Sequence, residues 1–256
     1  MEIKFERGAK LGEGGYGEVF LGTFKNEKVA VKRVQLSKCD DKEKTLKELD
    51  HENVVKLFHF ETDDDFKYVI CQFLWKLYFL KLHLRFYFRY FALELCQGSL
   101  DQLFLPDNDP RKYKGPRIPH NFAVLLQLAL GLAYIHSKNL IHRDIKPENV
   151  LIHIDSTGDK ITLKWADFGL SKSVNERGTC ALSYWLAPEL LLLEAQTNGR
   201  GTVESDVFAE GLVFAYITLL GKHPYGFNYR EIQTNMENNK PINMEGNKFP
   251  LCTERW

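Results

Sequence analysis

Polar and apolar positions alternate over residues 28–34, Lys28-Val29-Ala30-Val31-Lys32-Arg33-Val34, with the period of two of a half-buried strand. Apolar runs at 19–22, 66–70 and 89–96 predict further strands. Those at 150–152 and 161–165, joined through Asp155-Ser156-Thr157-Gly158-Asp159, predict a hairpin. Later the period changes. Val124, Leu125, Leu128, Leu132 and Ile135 recur at helical spacing over 121–136, which predicts a core helix. Residues 206–220 are apolar nearly all round up to Gly221, so a helix there must be central. A charged helix is predicted over 40–51, and 106–119, rich in Pro, Asp, Lys and Arg, reads as a surface loop.

Composition narrows the function classes. The 256 residues are 44% hydrophobic, enough for a sizeable core, and contain neither an internal repeat nor a low-complexity segment. Lys plus Arg equals Asp plus Glu at 34 each, so no global charge recruits nucleic acid or an anionic membrane, and local sites must carry the function. Cys39, Cys71, Cys96, Cys180 and Cys252 are scattered without CxxC pairs, the usage of reduced thiols in a cytosolic setting. The N-terminal residues lack the apolar stretch of a secretory signal.

The candidate chemistry centres on residues 140–152, LIHRDIKPENVLI, a polar run clamped between apolar ones. A run of this kind is usually a solvated turn. Here, however, Asp144-x-Lys146-x-x-x-Asn149 puts a base, a cation and a metal-binding amide in one loop, beside the bend that Pro147 imposes, with His142 and Arg143 just ahead. Near the N-terminus, Gly12, Gly14 and Gly17 in KLGEGGYGEV allow a backbone turn over a phosphate. Alone that signal also fits a dinucleotide site, but such a site wants a helix after the motif, and a strand follows here. Lys32 stands fifteen positions after Gly17, at the end of a V-A-V-K pattern. Asp167-Phe168-Gly169 lies eighteen positions beyond Asn149, behind an apolar strand.

HRDxKxxxN, the glycine motif, VAVK and DFG in this order resemble the protein kinase family, and the Lys two after the Asp resembles its serine/threonine branch. The resemblance covers the chain except about 71–88. It implies an α+β, bilobal fold, with a small antiparallel N-terminal lobe over 1–95 and a mostly helical C-terminal lobe over 96–256. ATP and Mg²⁺ would lie between the lobes, and the acceptor would be a Ser or Thr of a protein. The nucleotide would contact Leu11, Gly12, Glu13, Gly14, Gly15, Tyr16, Gly17, Val19, Ala30, Lys32, the gatekeeper Leu93, and the backbone of Glu94 and Cys96. Asp144 would accept the substrate proton, Lys146 steady the γ-phosphate, and Asn149 and Asp167 hold metal. Glu43 is assigned as the carboxylate partner of Lys32, although the family's register falls on Lys42.

Further along, Asp206 resembles the residue that braces the catalytic loop, and Ser171, Ser173, Thr179 and Ser183 precede Ala187-Pro188-Glu189 in the activation segment. A phosphate there would pair with Arg143. ALELCQGSL and GKHPYG are similar to the kinase part of the inositol-requiring kinase/endoribonucleases of the unfolded-protein response. That likeness leaves room for pairing of two kinase domains and for a cytosolic site on a membrane-anchored parent. The last C-lobe helices of the family, and the Arg that would pair with Glu189, are not expected within the sequence.

Residues 71–88, CQFLWKLYFLKLHLRFYF, are densely aromatic and basic where the family joins two strands by a short turn. Lys76, Lys81, His83, Arg85 and the following Arg89 argue against a membrane span, at roughly 2.5–3.5 kcal/mol for each near a bilayer centre. A membrane-surface helix or, more simply, an insertion with exposed apolar bulk are the readings that remain. The competing function class is a non-catalytic nucleotide-binding scaffold, a pseudokinase or a fragment.

Overall fold

The structure is a computed structural model that describes residues 2–14, 17–35, 46–70, 81–173, 184–191 and 201–244, with the backbone alone at 63–70, 81–87 and 173. The chain divides into two compact units, Met1–Asp50 with Lys56–Leu95, and His51–Val55 with Cys96–Trp256. Residues 51–55 thus belong with the second unit although they fall within 1–95. No helix among the described residues is long and apolar enough to cross a membrane.

The first unit is one antiparallel sheet. Its strands are β1 (Ile3–Gly14), β2 (Gly17–Phe24), β3 (Glu27–Gln35), β4 (Leu57–Ile70) and β5 (Lys81–Leu93), in the order β1-β2-β3-β5-β4. The alternation read in residues 28–34 is realised in β3, where Val29, Val31 and Arg33 are buried and Ala30 and Lys32 half-buried. Ile3, Val29, Val31, Tyr90 and Ala92 form the core, with Phe5, Phe24, Phe58 and Phe88 packed against them.

The expectation of a strand starting at residue 89 is corrected by β5. Residues 81–88 are paired strand, continuous with β4 from Asp63↔Phe88 to Ile70↔Lys81, whereas the partner positions on β3 end at Gln35↔Phe88. Aromatic and β-branched residues recur at Phe66, Tyr68, Val69 and Ile70 and at Phe86, Tyr87 and Phe88, so the ladder runs on past Asp63-Asp64-Asp65 and residues 81–88 lengthen a ribbon. Residues 71–80 lie outside the described residues.

The second unit is built on helices α1 (Asn121–Ser137), α2 (Val203–Thr218) and α3 (Tyr229–Glu237). Its short strands are β6 (Gly98–Ser99), β7 (Leu140–Ile141), β8 (Val150–Ile154), β9 (Ile161–Trp165) and β10 (Lys172–Ser173), arranged as β6-β8-β9 and β10-β7. The β8–β9 hairpin closes through Asp155, whose carboxylate accepts the amides of Asp159 and Lys160 and the hydroxyl of Thr157. The helical stripe of α1 buries Val124, Leu128, Leu132 and Ile135. α2 starts one turn before Asp206, because Thr202 caps it through a reciprocal bond with Ser205.

Residues 51–55 are stitched to β9. Trp165 N–H donates to the Asn53 carbonyl, Val55 N–H to the Trp165 carbonyl, and Asn53 Nδ2 to the Leu163 carbonyl, at 2.9–3.0 Å. Gly131 of α1 permits this approach: a Cβ there would lie 2.7 Å from the Asn53 carbonyl oxygen and 3.0 Å from Trp165 Cδ1. Backbone cannot swing aside as a long side chain can. Gly131→Val is therefore expected to cost about 1–3 kcal/mol by overpacking, a fall of roughly 2–12 °C in melting temperature by calorimetry.

Candidate active site

The polar loop after β7 is held from below and from within. Asp206, buried near the start of α2, accepts the His142 amide at 2.7 Å through Oδ2 and the Arg143 amide at 2.9 Å through Oδ1. His136, in the last turn of α1, places Nε2 3.0 Å from the same Oδ2. His142 itself is fully buried, its Nε2 2.9 Å from the Ala166 carbonyl and its ring 5.0 Å from that of Phe168. It therefore ties the loop to the DFG turn and has no access to a substrate proton. Arg143 adopts φ 67°, a left-handed conformation uncommon for a side chain of its size, within this clamped backbone.

Asp144 points its carboxylate at three donated protons. Lys146 Nζ lies 2.9 Å from both Oδ1 and Oδ2, and Asn149 Nδ2 donates to Oδ2 at 2.8 Å and to the Asp144 carbonyl at 2.7 Å. Pro147 opens the 3-10 turn that brings Asn149 back over Asp144. Asn149 in turn accepts the Ala166 amide through its carbonyl, so loop and DFG turn share one hydrogen-bonded frame. Asp167 follows in a left-handed conformation, φ 61° and ψ 69°, with its carboxylate accepting the Gly169 amide at 3.2 Å. The sequence-predicted set Asp144, Lys146 and Asn149 is thus brought into direct contact, with Asp167 one residue beyond their shared frame.

In the first unit, strand register gathers the other predicted residues. Lys32 pairs with Val19 and with Phe91, and Ala30 with Leu21 and with Leu93. Directly paired residues share a face, so Val19, Ala30, Lys32 and Leu93 lie on one face, opposite the Val29–Val31 core. Gly12 stands on the rung of Val19, and Glu13 and Gly14 continue to the β1–β2 end at Gly14↔Gly17. At φ 147°, Gly17 has a Cβ position already filled by the Arg33 carbonyl, so only glycine fits. Leu11 is exposed. Glu94 is anchored to Lys56, its amide donating to the Lys56 carbonyl at 3.0 Å, and half-buried Cys96 opens the second unit.

Gly15, Tyr16, Glu43, Thr179 and Ser183 lie outside the described residues, as do residues 40–45 of the helix predicted over 40–51; of its other half, 46–47 are helical and 48–51 are not. Ser171 is corrected as a candidate phosphate acceptor: it is fully buried, with Oγ 3.4 Å from the His142 carbonyl. Ser173 forms part of β10, pairing with Leu140. One residue of the clamp, His136, and its buried neighbour Glu210 escaped sequence reading. His136 and Glu210 fall on predicted helices, and only the polar interruption of apolar faces would have marked them.

Beyond the geometry, a family model described as the protein kinase domain matches residues 5–251, and the chain belongs to that family. Its fold is accordingly the α+β, two-lobed protein kinase fold, with the sheet unit as N-terminal lobe and the helical unit as C-terminal lobe. The human serine/threonine-protein kinase/endoribonuclease IRE2 is 35% identical over 242 residues, 88% of this chain and 23% of the human protein. The Caenorhabditis elegans serine/threonine-protein kinase/endoribonuclease ire-1 is 32% identical over 236 residues, 84% of this chain and 21% of its own length. The mouse tyrosine-protein kinase Fgr is 31% identical over 248 residues, 92% of this chain and 41% of the mouse protein. The chain therefore resembles the kinase/endoribonucleases over most of its length while spanning less than a quarter of theirs.

Proposed function

We propose that this chain is a protein serine/threonine kinase module that transfers the γ-phosphoryl group of Mg-ATP to a Ser or Thr hydroxyl of a protein. The observation that carries this reading is the contact of Lys146 with both carboxylate oxygens of Asp144, with Asn149 closing the other side. A Lys two residues after the base belongs to the serine/threonine pattern, and its ammonium is positioned to steady a phosphate beside the acceptor oxygen.

The donor set suits a hard cation. Asn149 commits its Nδ2 to Asp144, and its amide oxygen has no hydrogen bond among the described residues. That oxygen and the Asp167 carboxylate would hold Mg²⁺. Mg²⁺ is commonly held by one or two protein oxygens and completes its shell with phosphate oxygens and water, for which these two groups would leave room. When bound, Mg-ATP supplies the phosphoryl group and metal charge to neutralise its oxygens. Asp144, oriented by Lys146 and Asn149, accepts the hydroxyl proton. Lys32, on the half-buried face with Val19 and Ala30, would pair with the α- and β-phosphates, and the Gly12–Gly17 turn would cover them. In this reading the partners are ATP, a Ser/Thr-bearing protein and a second kinase domain, within a cytosolic part of a stress-sensing parent of the kinase/endoribonuclease kind.

The test is phosphotransfer from Mg-ATP to a mixed protein acceptor such as casein, followed by phosphoamino-acid analysis. Phosphoserine or phosphothreonine is expected; phosphotyrosine alone would overturn the specificity. Nucleotide binding without transfer would favour the scaffold reading. Asp167→Ala is expected to remove the Mg²⁺-dependent part of the ATP-induced thermal shift, about 2.7 kcal/mol of stabilisation at a hundredfold excess over Kd in the unchanged chain. An undiminished shift would take Asp167 out of the metal site.

A further inference from the structure

Glu210 is a buried carboxyl whose Oε1 has no hydrogen-bond partner among the described residues. It stands one turn after Asp206 on α2, is 8% exposed, and its Oε1 is shielded from solvent without a donor. Asp206 lies one turn earlier on the same side of its own helix, and His136 of α1 contacts Asp206; both act on the Glu210 charge. His136 is directed at Asp206 Oδ2 at 3.0 Å, and that carboxylate carries the amides of His142 and Arg143. Glu210 thus adjoins the clamp under the catalytic loop without belonging to it.

An ionised carboxylate in such surroundings costs several kcal/mol, so it must either keep its proton or reach water. Burial, helped by the neighbouring Asp206 charge and opposed by His136, pushes Glu210 up to about 7 from its ordinary 4.5. A parting of α2 from the end of α1 would bring water to it and would also unseat Asp206, which His136 of α1 contacts.

We propose that Glu210 makes the clamp on the catalytic loop pH-sensitive: as a neutral acid it is buried with the clamp closed, and as a carboxylate it favours a local opening that releases the amides of His142 and Arg143. The sign follows from proton linkage. The closed form binds the proton more tightly than the open one, so opening releases a proton and is favoured as pH rises. The clamp is tightest below about 4.5, loosens through the window from about 4.5 to about 7, and then levels off.

Amide hydrogen exchange of the intact chain, corrected for intrinsic rates, reads this directly. Protection of the His142 and Arg143 amides is expected to fall by at least tenfold between pH 5 and pH 7.5. In Glu210→Gln, which keeps the shape and the His136–Asp206 pair, it is expected to change less than twofold. Glu210→Met serves the same purpose should the amide variant fold poorly. Constant protection in the unchanged chain, or an equal fall in the variants, would overturn the proposal. Whole-chain melting is a poorer readout. Burial pushes His223 down to about 4, and that residue destabilises the fold on acidification, in the opposite direction to Glu210. No nucleotide or substrate is required, so the outcome is independent of the phosphotransfer reading.

Discussion

Asp144→Asn is expected to lower phosphotransfer by roughly 10²–10⁴-fold, the usual contribution of a positioned general base, with ATP affinity nearly unchanged. Asp144 is held by Lys146 and Asn149, and its proposed role is toward the acceptor hydroxyl and not the nucleotide. Asparagine retains the shape and one acceptor oxygen but cannot take a proton. Single-turnover phosphotransfer beside an ATP-induced thermal shift separates the two effects. Equal loss of both would show that the change disturbs the site through Asn149 and the metal, and would remove Asp144 from the role of base.

Asp206→Ala is expected to be the most destabilising change in the C-terminal unit. The side chain is buried, carries two backbone amides of the loop and faces His136. Its removal orphans two buried N–H donors, each costing about 1–3 kcal/mol, together with the lost pairing to His136. A total of roughly 3–5 kcal/mol corresponds to about 6–20 °C in melting temperature for a domain of this size. Asp206→Asn keeps one carbonyl acceptor and is expected to lose about half as much. Calorimetry gives the stability, and exchange of the His142 and Arg143 amides gives its location. A loss confined to activity, with both amides still protected, would show that the loop holds its shape without Asp206.

The two variants act at different levels. Asp144 is exchanged within a loop that stays folded, whereas Asp206 determines whether that loop has a fixed backbone. Glu210 lies between these levels: in the proposal its charge shifts the balance between the closed clamp and one whose bonds to the His142 and Arg143 amides are released.

What the sequence by itself determined was whatever depends on short spacing. The Asp144–Lys146–Asn149 constellation, the β8–β9 hairpin, the apolar stripe of α1 and the alternation of β3 each arise within about twenty residues, where helical and strand periods and Pro or Gly turns leave few conformations. Strand parity even set Val19, Ala30, Lys32 and Leu93 on one face once their pairing was given. Only the tertiary structure decided what depends on chain segments far apart. Residues 81–88 read as an interruption because their partners, 63–70, were identified only in part as strand, and register between two segments is not written in either alone. His136 and Glu210 looked like ordinary helix positions until α1 met α2. Ser171 reads as one candidate hydroxyl among four, and only packing shows it buried, with Oγ against the His142 carbonyl. In each case burial changes the chemistry of an otherwise unremarked group, and burial is a property of the packed molecule, fixed by contacts that local spacing does not encode.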